Sequence, residues 1–171
     1  MVRIITLIGL NGAGKSTTGD IVAQVLRKSG YKVDIRPLAR PLKLLAHKYC
    51  DLNKHENRFL LEEFAEELRY LFGHDIFVNL VLENSSELDY IVVPDMRFIE
   101  EFNLFLVNAQ SVDIIECARN VETTVDDRCR LERLKSFGIP IIATLDCDRS
   151  ELVTNLYAVV SQIDEKNASH R

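Results

Sequence analysis

No apolar run in these 171 residues approaches the roughly 18 needed to cross a bilayer. The stretch Met1–Ile5 gives way within a few residues to Gly9 and a polar loop, which is too short for a secretion signal. Of the four cysteines (Cys50, Cys117, Cys129 and Cys147), no two form a C-x-x-C pair, so a zinc ribbon or thioredoxin-type motif is excluded. All four read as reduced thiols, with Cys117 a small hydrophobe in an apolar run, which suits a cytoplasmic chain. Basic excess is missing too: 21 Lys+Arg against 26 Asp+Glu leaves −5, the wrong sign for bulk binding to nucleic acid. His47, His55, His74 and His170 have no metal-ligand spacing and read as surface residues. There is no internal repeat, low-complexity tract or linker.

What is present is ordinary globular material. Apolar residues are 47% and charged residues 27%, which excludes disorder, collagen-like repeats and coiled coil for the chain as a whole. The length fits one domain over 1–171, and such a chain buries about 70% of its unfolded surface without a metal or disulfide staple.

Strand-like and helix-like segments alternate. Strands are predicted at Ile4–Ile8, Tyr31–Arg36, Tyr90–Val93, Val112–Cys117 and Ile139–Leu145. Tyr90–Val93 is continuously apolar, as in a strand buried on both faces. Helices are predicted at Lys15–Ser29 with Gly30 as its cap, Leu42–Tyr49, Glu56–Phe72, Ile76–Leu82, Phe98–Val107, Val125–Phe137 and Ser150–Ile163. Pro37 and Pro41 punctuate a loop, Ser150 is placed to cap the last helix, and Asp164–Arg171 reads as a frayed tail. On Glu56–Phe72 the expected apolar side is Phe59, Leu60, Phe64, Leu68, Leu71 and Phe72. This alternation implies an α/β fold: a five-stranded, mostly parallel sheet with helices on both faces and ligands at the carboxyl ends of the strands.

The segment Gly9-Leu10-Asn11-Gly12-Ala13-Gly14-Lys15-Ser16 satisfies G-x-x-x-x-G-K-[ST] between a predicted strand and a predicted helix. Wrapping a phosphate chain in backbone N–H groups needs small residues that tolerate unusual dihedrals, here Gly9, Gly12, Ala13 and Gly14. The helix that starts near Lys15 turns its positive end toward the anion. Lys15 is placed for the β- and γ-phosphates, Ser16 for Mg²⁺, and Thr17 for a further phosphate hydrogen bond. The motif implies the three-layer P-loop fold. Neither the N-K-x-D nor the D-x-x-G signature of GTPases is present, and the chain is short for a motor ATPase, leaving a kinase of a small molecule.

The strand ending at Val93 delivers Asp95 to its carboxyl end, where a carboxylate that supports Mg²⁺ is expected. Arg97, two residues on, falls on the same side of an extended backbone and offers a planar fork for phosphates.

Val-Val-Pro-Asp-x-Arg-Phe-x-x-Glu at 92–101, together with the intact phosphate loop, resembles the viral deoxynucleoside monophosphate kinases. Pro37-Leu38-Ala39-Arg40-Pro41-Leu42-Lys43 is similar to that family's Phe-Ala-x-Pro-Leu-Lys segment. Leu68–Phe77, through Gly73, is similar to its helix–Gly–helix stretch, and Ile114–Arg119 occupies the place of its fourth strand and following Arg. The resemblance implies an acceptor-binding helical region over about 38–88 and a short lid over about 118–137. Where the family carries Arg and Gln on the helix before Gly73, this chain has Glu62, Glu63, Glu66, Glu67, Arg69 and Tyr70. Arg36, Arg40, Lys43, Arg69 and Tyr70 are the candidate acceptor contacts, with Tyr70 or Phe72 available to stack on a base. In the implied lid, Arg119 is assigned to the nucleotide and Arg128 to the group in transfer, although Asp126 and Asp127 offer ordinary helix salt bridges. Phe64, Phe72, Phe77, Phe98, Phe102 and Phe105 sit at helical spacing and read as core.

The expected activity is transfer of the ATP γ-phosphoryl, with Mg²⁺, to a (deoxy)nucleoside monophosphate, with Lys15, Arg97 and Arg128 on the transferring charge. Only small nucleotides are expected as partners, with no nucleic acid and no membrane. Animal phosphomevalonate kinases and dephospho-CoA kinase-like proteins share the layout, so those acceptors stay open. So does a nucleotide-binding regulator without transfer activity, for which the acidic stretch 62–67 is the motive.

Overall fold

The computed structural model describes residues 1–50, 58–119, 121–145 and 149–168. Its strands are β1 (Arg3–Gly9), β2 (Val33–Ile35), β3 (Tyr90–Val93), β4 (Ser111–Cys117) and β5 (Ile141–Leu145). They form one sheet in the order β2-β3-β1-β4-β5, with every pairing parallel. The helices are α1 (Lys15–Lys28), α2 (Arg40–Cys50), α3 (Arg58–Phe72), α4 (Ile76–Leu82), α5 (Ile99–Asn108), α6 (Val125–Ser136) and α7 (Arg149–Ala168).

Alternation along the central strands divides the core. Ile4, Ile8, Ile91, Val93 and Ile114 pack on one face with α2 to α6, whereas Ile5, Leu7, Tyr90, Val92 and Ile115 pack on the other with α1 and α7. Both sides of β1, β3 and β4 are therefore covered, which is why β3 is apolar throughout and β1 nearly so, while β4 buries Asp113 and Glu116 among its apolar residues. The register pairs Thr6 with Val93 and Gly9 with Cys117, so β1, β3 and β4 end near one another at the same edge. From β1 the chain crosses to β2 on one side, and from β3 it crosses back over β1 to β4 on the other. A crevice opens between the ends of β1 and β3, where the connections diverge.

Some boundaries differ from the sequence reading for identifiable reasons. Helix α2 begins at Arg40, so Pro41 lies in its first turn, where a missing N–H costs no helical hydrogen bond. Strand β5 starts only at Ile141: Pro140 has no N–H to give, and the Ile141 N–H turns back to the Ile139 carbonyl at 2.9 Å. Helix α7 continues to Ala168 rather than fraying at Asp164. Phe59, Leu60, Leu71 and Phe72 lie exposed on α3, with Phe72 64% accessible, instead of forming its packed side. The inward positions are Leu61 and Ala65, four residues apart, and Phe64 and Leu68 are half-buried against them. The side chains of Cys50 and Ser150, and residues His55, Cys147 and His170, lie outside what is described. Among the described residues, no helix is long and apolar enough to cross a membrane.

Candidate active site

The turn from β1 into α1 is built from strained backbone. Gly9 has φ 142°, and a Cβ there would stand 2.4 Å from the Cys117 carbonyl oxygen on the neighbouring strand. Gly14, with φ 89°, takes the left-handed conformation just before α1. The loop between them closes on itself through Ala13 N–H to the Leu10 carbonyl at 3.2 Å. The Lys15 ammonium folds over this loop and donates to the Gly9 and Leu10 carbonyls, both at 2.7 Å. Burial, and then the nearby Arg97 charge, lower its pKa below the usual lysine value.

A cavity of about 630 Å³ opens from this loop toward α2 and α3. On the loop side it is lined by Asn11, Gly12, Gly14, Lys15, Ser16 and Thr17; on the far side by Leu42, Lys43, Leu61, Ala65, Arg69, Phe77 and Phe98. Asp95, Arg97, Glu62, Glu66, Glu101 and Arg130 complete its rim and floor. Apolar walls facing an anion cradle are the makeup of a small-molecule site.

The end of β3 supplies the groups between the two halves. Asp95 Oδ1 accepts from the Leu38 N–H at 2.7 Å and Oδ2 from the Ala39 N–H at 3.1 Å. Its position at the strand end suggests a carboxylate for Mg²⁺, and the structure gives it a further task. Because β2 and β3 are neighbours, the loop leaving β2 passes over Asp95, which satisfies amides just before α2. Asp95 thereby fixes the wall that carries Leu42 and Lys43. Asp95→Asn leaves an amide that cannot accept from both N–H groups in the same way. We expect it to lower stability by about 1–3 kcal/mol, read as a lower Tm. A Tm equal to the parent's would show that the carboxylate does not anchor the loop.

Glu101 sits beneath this turn. Its Oε2 accepts from the Arg97 N–H at 2.9 Å and the Phe98 N–H at 3.1 Å, closing the first turn of α5. Its Oε1 lies 3.5 Å from Arg69 Nη2. Burial pushes its pKa up to about 7, and the Asp95 charge adds to this against the two amides and Arg69. The folded protein therefore holds a proton that the unfolded chain releases near the ordinary value of 4.5, so stability from this group falls as pH rises from 4.5 to about 7. Relative to Glu101→Gln, the parent's Tm is expected to drop across that window and to run parallel above it. Parallel curves throughout would contradict the assignment.

Arg69 is a half-buried cation at the far end of the cavity. It lies 5.0 Å from the Phe77 ring and 4.9 Å from the Phe98 ring, with Glu66 at 2.8 Å. The helical face 61/65/69 points it inward; Glu62 and Glu66 also line the cavity, Glu66 at its solvent-exposed rim, while Glu63 and Glu67 are exposed and off it. The acidic stretch is thus split between the cavity and solvent.

Several expected contacts fall elsewhere. Arg36 donates to Asp34 at 2.8 Å and to the Val81 and Glu83 carbonyls at 2.8 and 2.6 Å, tying the end of α4 to β2. Arg40 and Tyr70 are exposed and off the cavity, Tyr70 at 85%. Arg119 and Arg128 are also exposed and do not line it. The implied lid is a packed helix: Leu134 is buried and Leu131 packs beside it, and the Asp127 carboxylate accepts from the Asn11 amide of the phosphate loop. Asp127, Arg130 and Leu134 share the inward face, so Arg130 reaches the cavity and Arg128 does not. Arg130 stands four residues before Leu134 but Arg128 stands three before Leu131, so spacing from the leucines does not by itself separate the two arginines. Ala13 is buried behind the loop, and Gly9 borders a small adjoining cavity with Arg97 and Arg130.

No protein-family model and no curated sequence matches the chain. Among solved structures, the APS kinase of Mycobacterium tuberculosis in complex with AMPPNP and APS is similar with a TM-score of 0.52 and 17% identity, over 95% of this chain and 98% of that one. A variant of the same kinase gives a TM-score of 0.55 at 17% identity, over 95% and 97% of the two chains. Shikimate kinase from Bacteroides thetaiotaomicron gives 0.51 at 14% identity, over 95% and 98%. Identities this low speak for architecture alone. In its parallel sheet and its helices on both faces, the chain has the α/β fold of the P-loop kinases.

Proposed function

We infer that the chain is an ATP-dependent phosphotransferase acting on a small metabolite, and that the acceptor is a (deoxy)nucleoside monophosphate. The observation that carries this reading is the continuity of one cavity from Lys15, Ser16 and Thr17 to the half-buried Arg69 and the Phe77 and Phe98 rings. One end suits a triphosphate and the other an acceptor with an anionic group and an apolar or aromatic body. The APS kinase that shares the fold was solved with AMPPNP and APS in one complex.

Transfer between phosphates asks for positioning and charge neutralisation more than for covalent help. Lys15 would leave its two loop carbonyls for the phosphate oxygens, and backbone N–H groups at the start of α1 would hold the anion. Arg97 lies where donor and acceptor meet and would follow two oxygens at once. Arg69 and Lys43 would receive the acceptor. Its phosphate is already an anion at neutral pH, so no strong general base is required.

The donor set fits Mg²⁺ carried in on phosphate. Among the described residues, no cluster of three or more His, Cys, Asp or Glu side chains could hold a metal unaided. Ser16 and the remaining lone pairs of Asp95 line the same cavity as Lys15 and are the groups that would hold the ion. When bound, Mg²⁺ supplies charge neutralisation on the phosphate oxygens.

A panel of acceptors in a coupled ADP-release assay tests the acceptor class. The expected result is ADP release with at least one nucleoside or deoxynucleoside monophosphate. Release only with a phosphorylated non-nucleotide, such as phosphomevalonate, would keep the kinase and replace the acceptor.

A further inference from the structure

Glu62 faces two guanidinium groups from distant parts of the fold. Its Oε1 is 3.5 Å from Arg97 Nη1 at the end of β3, and its Oε2 is 3.8 Å from Arg130 Nη2 on α6. Both separations exceed the roughly 2.7–2.9 Å of a strong charge-assisted hydrogen bond. The Glu62, Arg97 and Arg130 side chains are 39%, 34% and 37% accessible, so water reaches the whole group. Ion pairs of this kind are weak and exchange readily. Arg97 also reaches back toward the phosphate loop, with Nη2 3.5 Å from Asn11 Oδ1. Arg97 and Arg130 border the small cavity that also includes Gly9 and Lys15. Two guanidinium groups thus flank the open end of the phosphate loop and share one carboxylate, whose charge and paired oxygens resemble one face of a phosphoryl group.

We propose that Arg97 and Arg130 form a subsite for the terminal phosphoryl group of the nucleotide, and that Glu62 is its exchangeable counter-ion, displaced when that group arrives. This rests on the reading of the cavity as an ATP site. Without nucleotide, Glu62 neutralises one of the two positive charges and holds both forks in place. When the phosphoryl group enters, the carboxylate turns out to the solvent it already touches. Glu62 therefore weakens binding of ligands that reach the subsite and leaves shorter ones unaffected.

The test measures ATP and ADP dissociation constants, with Mg²⁺, for the parent, Glu62→Gln, Arg130→Gln and the double variant, with a Tm for each. Glu62→Gln should tighten ATP by roughly 3–10-fold, as expected for removing two weak ion pairs, while ADP shifts by less than about 2-fold. Arg130→Gln should weaken ATP more than ADP, and in the double variant the gain from Glu62→Gln should shrink. If Glu62→Gln moves ATP and ADP equally, or moves neither while lowering Tm, Glu62 is a structural ion pair and the proposal is wrong, although the ATP site stands. A parent that binds neither nucleotide overturns both.

Discussion

Lys15→Ala is expected to abolish transfer while leaving the fold in place. Among the described residues, the ammonium donates to loop carbonyls, those of Gly9 and Leu10, and it lines the cavity rather than the core. Removing it leaves those carbonyls able to bond water, so Tm should change little. The triphosphate, however, loses a partly buried cation positioned before the ligand arrives. A loss of about 10³ or more in kcat/KM, with ATP affinity sharply weakened, is expected from the removal of such a preorganised charge. Steady-state kinetics, nucleotide titration and a melting curve on the one variant measure all three. A variant that binds ATP and turns over like the parent would place the phosphate site elsewhere.

Arg97→Lys keeps the charge and removes the fork. The Arg97 backbone is pinned by Glu101, and its guanidinium spans the space between Asn11 and Glu62 at 3.5 Å from each. A planar group held there can bond two oxygens as charge shifts between bridging and terminal positions, whereas an ammonium is a single point. The expected loss in kcat is about 10²–10³, the range for one preorganised donor, with a much smaller change in ATP affinity. A purely structural Arg97 gives the reverse: a lower Tm with nearly normal kcat.

These two residues show how far the sequence reaches. Lys15 is legible because its chemistry is local: one loop of eight residues sets glycine, lysine and hydroxyl in fixed succession. Arg97 is legible because it follows Asp95 by two residues just past β3, although a turn at Pro94–Asp95, not an extended strand, carries the chain there. The succession of strands and helices along the chain follows from apolar runs separated by helix-length segments, and the reading of β3 agrees with the structure residue for residue. Contacts made between segments are harder. The role of Asp95 depends on β2 lying next to β3, which places the amides of Leu38 and Ala39 over it. A strand-order inference is needed before that bond can be foreseen. Arg130 and Arg128 have similar sequence neighbours, each at a same-face spacing from one leucine, so the packing of α6 on the phosphate loop decides which of them reaches the cavity. Phe59 and Phe72 mislead for the opposite reason: large apolar residues on α3 stay exposed because the inward face is taken by Leu61, Ala65 and Arg69. Glu101 carried a local signal, a carboxylate three residues into α5, that reads as a helix cap once the helix start is known.

The most direct measurement is to follow the γ-phosphoryl group itself. ATP labelled on that group is incubated with Mg²⁺, the protein and each nucleoside monophosphate, and the label is traced among ATP, acceptor and inorganic phosphate. The structure predicts label on an acceptor, giving its diphosphate, with none on that acceptor when Lys15→Ala replaces the parent. Label that remains on ATP, or passes only to inorganic phosphate with every acceptor, would contradict transfer to a nucleoside monophosphate across this cavity.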